Sequence, residues 1–217
     1  MKKGNLGALF VSAALLVLST NSHAISITSW DHDGGSTPAD YQLDVAQGAG
    51  LFTFSLSVTG GNADLFGLFF NLNDAASNYT PASVLNPGTL SFANTGPVFG
   101  TDISICGFDT SNCGGGNNLN GLPISSWDVA VEIGSSGMSN GSTVFATFEL
   151  DDGGYDLSDF EAFGVRSQST GANQDGSDKA YSSIGTPPVS VPEPTSMALM
   201  GLGLVGLGLT RRKKKLS

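Results

Sequence analysis

Strict alternation of apolar and polar residues in the middle of the chain limits its fold more than any other feature. Phe52, Phe54, Leu56 and Val58 alternate with Thr53, Ser55, Ser57 and Thr59, and Trp127, Val129, Val131 and Ile133 alternate with Asp128, Ala130 and Glu132. Successive side chains of a strand point to opposite faces, so each run has one apolar and one polar face, a separation a helix would scramble. Ile25 to Trp30, Tyr41 to Ala46, Asp64 to Leu72, Thr89 to Ala93, Asp102 to Phe108, Thr143 to Leu150 and Phe160 to Ser167 read as further strands. Between them lie turn-forming clusters such as Gly60-Gly61-Asn62, Asn86-Pro87-Gly88 and Gly114-Gly115-Gly116-Asn117-Asn118. Around nine short strands punctuated this way predict an all-β domain built as a two-sheet β-sandwich, with no helix before the C-terminus. Asn73 to Asn86 and Cys113 to Ser125 are long for hairpins, so they are expected to hold further structure or a binding surface.

Both ends of the 217-residue chain read as addresses. Lys2 and Lys3 precede an uncharged run of 13 residues, Leu6 to Leu18, and Ser22-His23-Ala24 offers small residues three and one positions before a cut. This is the pattern of a secretory signal peptide over 1–24, cleaved after Ala24 and engaging the Sec translocon. The acidic β-domain is then expected over 25–185, followed by a Pro-rich spacer, 186–196, extended by Pro187, Pro188, Pro192 and Pro194.

Without these ends the charge is one-sided. Between Ile25 and Val191 stand 18 acidic residues and only two basic ones, Arg166 and Lys179, a balance of −16. Phosphate recognition needs clustered Lys and Arg, so nucleic acid is not an expected partner. Cys106 and Cys113 are the only cysteines. In an oxidising compartment they are expected to close a small disulfide loop, worth about 2–3 kcal/mol in the loop-entropy description.

Residues 197–217 combine an apolar run, Met197 to Leu209, with the basic cluster Arg211-Arg212-Lys213-Lys214-Lys215. As a helix that run would be about 20 Å long against a hydrocarbon core of about 30 Å, and the basic cluster would stay on the cytoplasmic side. A short transmembrane helix stopped by positive charge suits transient inner-membrane anchoring. Taken with Pro192-Glu193-Pro194 just before it, the segment 191–215 resembles the PEP-CTERM sorting signal of Gram-negative bacteria. The resemblance implies recognition by an integral-membrane exosortase, a transpeptidase-like cysteine enzyme, in organisms that make extracellular polysaccharide. Pro192, Glu193 and Pro194 would be the recognised element, and the apolar run with Arg211 and Arg212 the part discarded. It further implies a surface or matrix protein, associated with biofilm or exopolysaccharide.

The β-domain itself resembles cohesin-like and carbohydrate-binding sandwiches through Gly50 to Leu56 followed by Phe66 to Leu72. That likeness, or a jelly roll, would make a carbohydrate-binding module the alternative to a structural or adhesive protein, with Trp30, Trp127, Tyr41, Tyr79, Tyr155 and Tyr181 as sugar-stacking candidates. An exported hydrolase is more distant. Gly137-Met138-Ser139-Asn140-Gly141 fits G-x-S-x-G, but no histidine lies downstream of the serine, so no enzyme is expected. Carboxylate pairs from Asp151, Asp152, Asp156, Asp159 and Glu161 carry little information among so many acids. Calcium is the one candidate cofactor. Asp31 and Asp33, then Asp151, Asp152 and Asp156, and finally Asp175 and Asp178 stand beside glycines that let loops fold back, though none has EF-hand spacing.

Overall fold

The computed structural model describes residues 23–33, 38–73, 83–93, 96–99, 102–134 and 143–184. The all-β expectation holds, and among these residues the only helix is a 3-10 turn at Leu157–Asp159. The strands are β1 (His23–Ile27), β2 (Asp31–His32), β3 (Asp40–Gly48), β4 (Leu51–Gly60), β5 (Asp64–Leu72), β6 (Asn86–Phe92), β7 (Gly96–Phe99), β8 (Ile103–Phe108), β9 (Val129–Ile133), β10 (Thr143–Asp151), β11 (Phe160–Thr170) and β12 (Gly176–Ser183). They form two antiparallel sheets, ordered β1-β3-β4-β10-β6-β7 and β2-β12-β11-β5-β9-β8. The chain stays in one sheet for the pairs β3–β4, β6–β7, β8–β9 and β11–β12 and changes sheet at every other connection.

Alternation decides which side chains meet between the sheets. Phe52, Phe54 and Leu56 are fully buried while Thr53, Ser55 and Ser57 are half-exposed on the outer face. Phe54 stacks on Phe148 of its own sheet, centroids 4.9 Å apart, and on Phe70 of the other sheet at 5.4 Å. Phe52 meets Phe160 of the other sheet edge-on at 5.0 Å. Burying a side chain of this size contributes about 1.5–3 kcal/mol, so this cross-sheet cluster is the main attraction between the layers.

The second sheet is covered on both faces. The connection from β8 to β9 folds over its outer side and packs Leu119, Leu122 and Trp127 on Phe69, Ala130 and Ala162, forming a second, smaller core. Double coverage accounts for the near-continuous apolar run of β5, buried at every position but Asn71. It also corrects the expected side of Trp127, which precedes β9 and lies on the outer face with Ala130 rather than inside with Val129. The long stretch from Cys113 to Ser125 thus serves as a lid on the sheet.

Three strands were not legible. β2 has two residues, β7 has exposed Pro97, Val98 and Phe99, and β12 is mostly polar, with only Asp178 and Ala180 buried. β12 is held from outside its own composition, by eight register pairs with β11 from Ala162↔Ser183 to Thr170↔Gly176. The predicted turn Asn86-Pro87-Gly88 lies inside β6, where the register with β10 slips between Phe148↔Pro87 and Ala146↔Leu90. A bulge is where a strand tolerates proline, and Gly88 is needed because a Cβ there would stand 2.4 Å from the Thr147 carbonyl oxygen.

The registers put both described chain ends at one pole. His23 pairs with Gln47 beside the β3–β4 turn, and Asp151 pairs with Leu51 at that same turn. The chain then passes through the 3-10 helix into β11, and the Ile184 N–H donates to the Glu161 carbonyl at 2.8 Å. The 3-10 helix touches both β1 and β3. Entry and exit therefore flank one short helix.

Lid packing is tight at Gly164 of β11, where a Cβ would lie 2.4 Å from Leu119 Cδ1 and 2.9 Å from two ring carbons of Trp127. Gly164→Ala is expected to lower the unfolding free energy by about 1–3 kcal/mol in urea titrations. Leu119→Ala, which costs stability alone, should restore part of that loss in the double variant; strict additivity would refute the contact as its cause.

Candidate functional site

The sorting-signal residues Pro192, Glu193, Pro194, Arg211 and Arg212, and the short transmembrane helix expected after them, lie outside the described residues. No helix among the described residues is long and apolar enough to cross a membrane. What the fold contributes is the point of departure: the tail leaves from Ile184, whose N–H is bonded to Glu161 just after the 3-10 helix.

Cys106 and Cys113 form the expected disulfide, with Cα atoms 5.4 Å apart. It ties the end of β8 to the lid, and both sulfur-bearing residues pack against the second core. Beyond it Gly114, Gly115 and Gly116 all take positive φ, a backbone that side chains disfavour, and bring the Asn117 N–H back to the Gly114 carbonyl at 2.8 Å. Asn117 is buried and donates through Nδ2 to the Phe66 carbonyl at 3.0 Å.

Of the candidate calcium carboxylates, those of Asp151, Asp152 and Asp156 are engaged with the turn that carries them. Asp151 accepts from the Gly153 N–H at 2.8 Å and Asp152 from the Gly154 N–H at 3.0 Å, while the other Asp152 oxygen takes Gln47 Nε2 at 3.0 Å. Asp156 caps the 3-10 helix by accepting from the Ser158 N–H, and Asp159 reciprocates on the Asp156 N–H at 2.8 Å, a capping box. Asp31 lies in β2 opposite Tyr181, and the Asp33 N–H donates to the Lys179 carbonyl at 2.9 Å. No group of three or more His, Cys, Asp or Glu converges among the described residues. Asp178, expected in an exposed Asp-Gly turn, is instead buried in β12.

Of the sugar-stacking candidates, Tyr41 and Trp127 are core residues, 1% and 0% exposed. Trp30, Tyr155 and Tyr181 are half-buried against the cores, and Trp30 Nε1 donates to the Tyr41 carbonyl at 3.0 Å. Tyr79 and the G-x-S-x-G segment lie outside the described residues.

A buried polar cluster went unrecognised in the sequence. Tyr41 on β3 reaches across to the other sheet, where its hydroxyl lies 2.6 Å from Ser167 Oγ and donates to Asp178 Oδ2 at 2.8 Å. The same carboxylate oxygen lies 2.9 Å from His32 Nδ1 and accepts from the Ala39 N–H at 3.4 Å. Arg166 Nη1 donates to the carbonyls of Ser167 and Asp178 at 2.7 and 3.0 Å, and its Nε to Gly116 at 3.1 Å. Burial, and secondarily the Asp178 charge, raise the Tyr41 phenol far above its ordinary value, so it stays protonated and keeps its donor. Burial lowers the Arg166 guanidinium, which Asp178 partly offsets. Ser167 is fully buried and hydrogen-bonded to Tyr41, so the cluster joins β2, β3, β11 and β12 and turns no nucleophile outward. Its members come from β2 and β3 early in the domain and β11 and β12 at its end, and only the lone Arg166 and His32 in an acidic chain hinted at it.

The fold and tail together define a class: a compact acidic β-domain whose functional address lies beyond its last strand. Residues 190–213 match the family model of the PEP-CTERM protein-sorting motif. The chain thus carries the sorting signal of an exported protein processed by an exosortase. No curated protein and no solved structure matches the chain.

Tyr41→Phe removes a hydroxyl that serves two buried partners across the sheets. It is expected to reduce stability by about 1.5–3 kcal/mol with an unchanged urea dependence. Asp64 makes the opposite case. It is buried in β5, accepts from the Thr143 N–H of β10 at 2.7 Å, and burial holds its pKa above the ordinary value. A raised carboxyl favours folding below its unfolded value of 3.8 and loses that contribution as pH rises through its folded value. At pH 7 the ion is therefore a burden. Asp64→Asn keeps an acceptor for the Thr143 N–H and removes the buried charge. Its melting temperature should exceed wild type by about 2–4 °C at pH 7. The advantage should vanish near pH 3; an equal gain at both pH values would refute ionisation as the cause.

Proposed function

We propose that this chain is an exported cell-surface or extracellular-matrix protein with a structural or adhesive role rather than a catalytic one, sorted by an exosortase that cuts its tail. The observation that carries the reading is the sorting motif at 190–213, placed after a spacer that leaves a folded domain at Ile184. The domain is a β-sandwich of jelly-roll or cohesin-like form, supported by a shared core between two antiparallel sheets and by a chain that repeatedly changes sheet. Extracellular polysaccharide is the partner this role implies. The outer face of the first sheet would meet it, where Asp44, Ser55 and Thr147 lie side by side in register, as do Ala46, Thr53 and Glu149. Calcium binding at the Asp-Gly turns is not part of this proposal.

In this reading the signal peptide over 1–24 delivers the chain, Met197 to Leu209 holds it briefly in the inner membrane with Arg211 to Lys215 in the cytoplasm, and the product is released to the surface. Replacing Pro192, Glu193 and Pro194 by alanine should leave the precursor in membrane fractions while the parent yields a product lacking the basic cluster. Intact mass of membrane and medium fractions measures both. Wild-type release from the alanine variant would overturn the sorting role of those three residues.

A further inference from the structure

The bond at which the export signal is expected to be cut, Ala24–Ile25, lies inside β1. Ala24 pairs with Ala46 and Ile25 with Val45, so one edge of this backbone is bonded to β3. Ile25 and Ile27 are 3% and 9% exposed and belong to the shared core, whereas His23 and Ala24 are exposed. A protease takes its substrate as a free extended segment. To present this bond, β1 must leave β3 and withdraw two isoleucines from the core, and cutting then follows the population of that opened state.

We infer that folding and signal cleavage compete at this one bond: the cut precedes the docking of β1 onto β3, and a precursor that folds first is protected. In the reaction water adds to the Ala24 carbonyl and the C–N bond breaks, leaving a carboxylate on Ala24 and an ammonium group on Ile25. The product loses only exposed residues from β1. Its remaining strand keeps Ile25↔Val45, Ser26↔Asp44 and Ile27↔Leu43, so the new terminus can still dock beside the 3-10 helix. The position of the cut thus separates the leader without removing any core side chain, and it gives the folded domain control over its own processing.

The inference rests on the export-signal reading, and one experiment separates the two. Ser26 and Asp44 face each other on the outer side of the pair, so Ser26→Cys with Asp44→Cys places a bridge that locks β1 to β3. Full-length precursor carrying both changes, folded in detergent micelles, is incubated with signal peptidase with the bridge oxidised or reduced, and intact mass follows the product beginning at Ile25. Parent precursor with and without reductant accounts for the Cys106–Cys113 bridge. The oxidised lock is expected to be cut at least tenfold more slowly than its reduced form. Ile27→Asp, which cannot dock β1, should be cut faster than the folded parent while its near-ultraviolet circular dichroism shows the rest of the domain packed. Equal rates for locked and reduced precursor, both cut before Ile25, overturn the inference and leave the export signal standing. An unlocked chain that is not cut, or is cut at another bond, overturns the export-signal reading and this inference with it.

Discussion

The contact of Phe54 with Phe70 and of Phe52 with Phe160 is the join on which the two sheets depend. Each sheet alone would leave its inner apolar face in water, and these rings come from strands separated by crossings between the layers. Phe163, stacked on Phe160 at 5.0 Å, extends the cluster along β11. Because the attraction is not directional, it fixes that the layers meet but not how they align.

Alignment comes from the polar groups that cross the same gap. Tyr41 to Ser167 and Asp178 joins β3 to β11 and β12, and Thr143 to Asp64 joins β10 to β5. A slide by one residue would leave each of these groups buried without its partner, which costs far more than the bond gains when made. Asp178 Oδ1 is already buried without a hydrogen-bond partner among the described residues, so the cluster tolerates little further loss. The two bridges differ in quality. The first keeps its protons where they are needed, and the second holds an ion that would be better neutral.

What could be read beforehand follows the same division. Period-two alternation placed β4 and β9 and the inward set Phe52, Phe54 and Leu56, because a strand buried on one face writes that face into its sequence. β5 was found by its apolar run, but that its outer side is buried too depends on Leu119 and Trp127, some fifty residues away, folding over it. β12 was invisible because its place is decided by pairing with β11 rather than by apolar residues of its own. Of the Asp-Gly motifs, the one at Asp151 to Asp156 forms a turn whose carboxylates bond its own backbone N–H groups, whereas Asp31 lies in β2. Asp178 was misplaced because a carboxylate beside glycine normally signals solvent, and only the three-dimensional meeting with Tyr41, His32 and Ala39 makes its burial affordable. The tail was the most legible element of all, since order along the chain is what its recognition reads.

The position of β12 has a mechanical side. Any pull carried by the C-terminal spacer enters the domain at Ile184 and runs along β12, which lies between β11 and β2 rather than at an edge. Against a hold on the opposite pole, where Gly171 to Asp175 turn the chain back, such a load acts parallel to the strand. The hydrogen bonds from Ala162↔Ser183 to Thr170↔Gly176 would then be sheared together instead of opening one after another. A strand with almost no apolar content of its own would in that way be the best placed of all to bear tension.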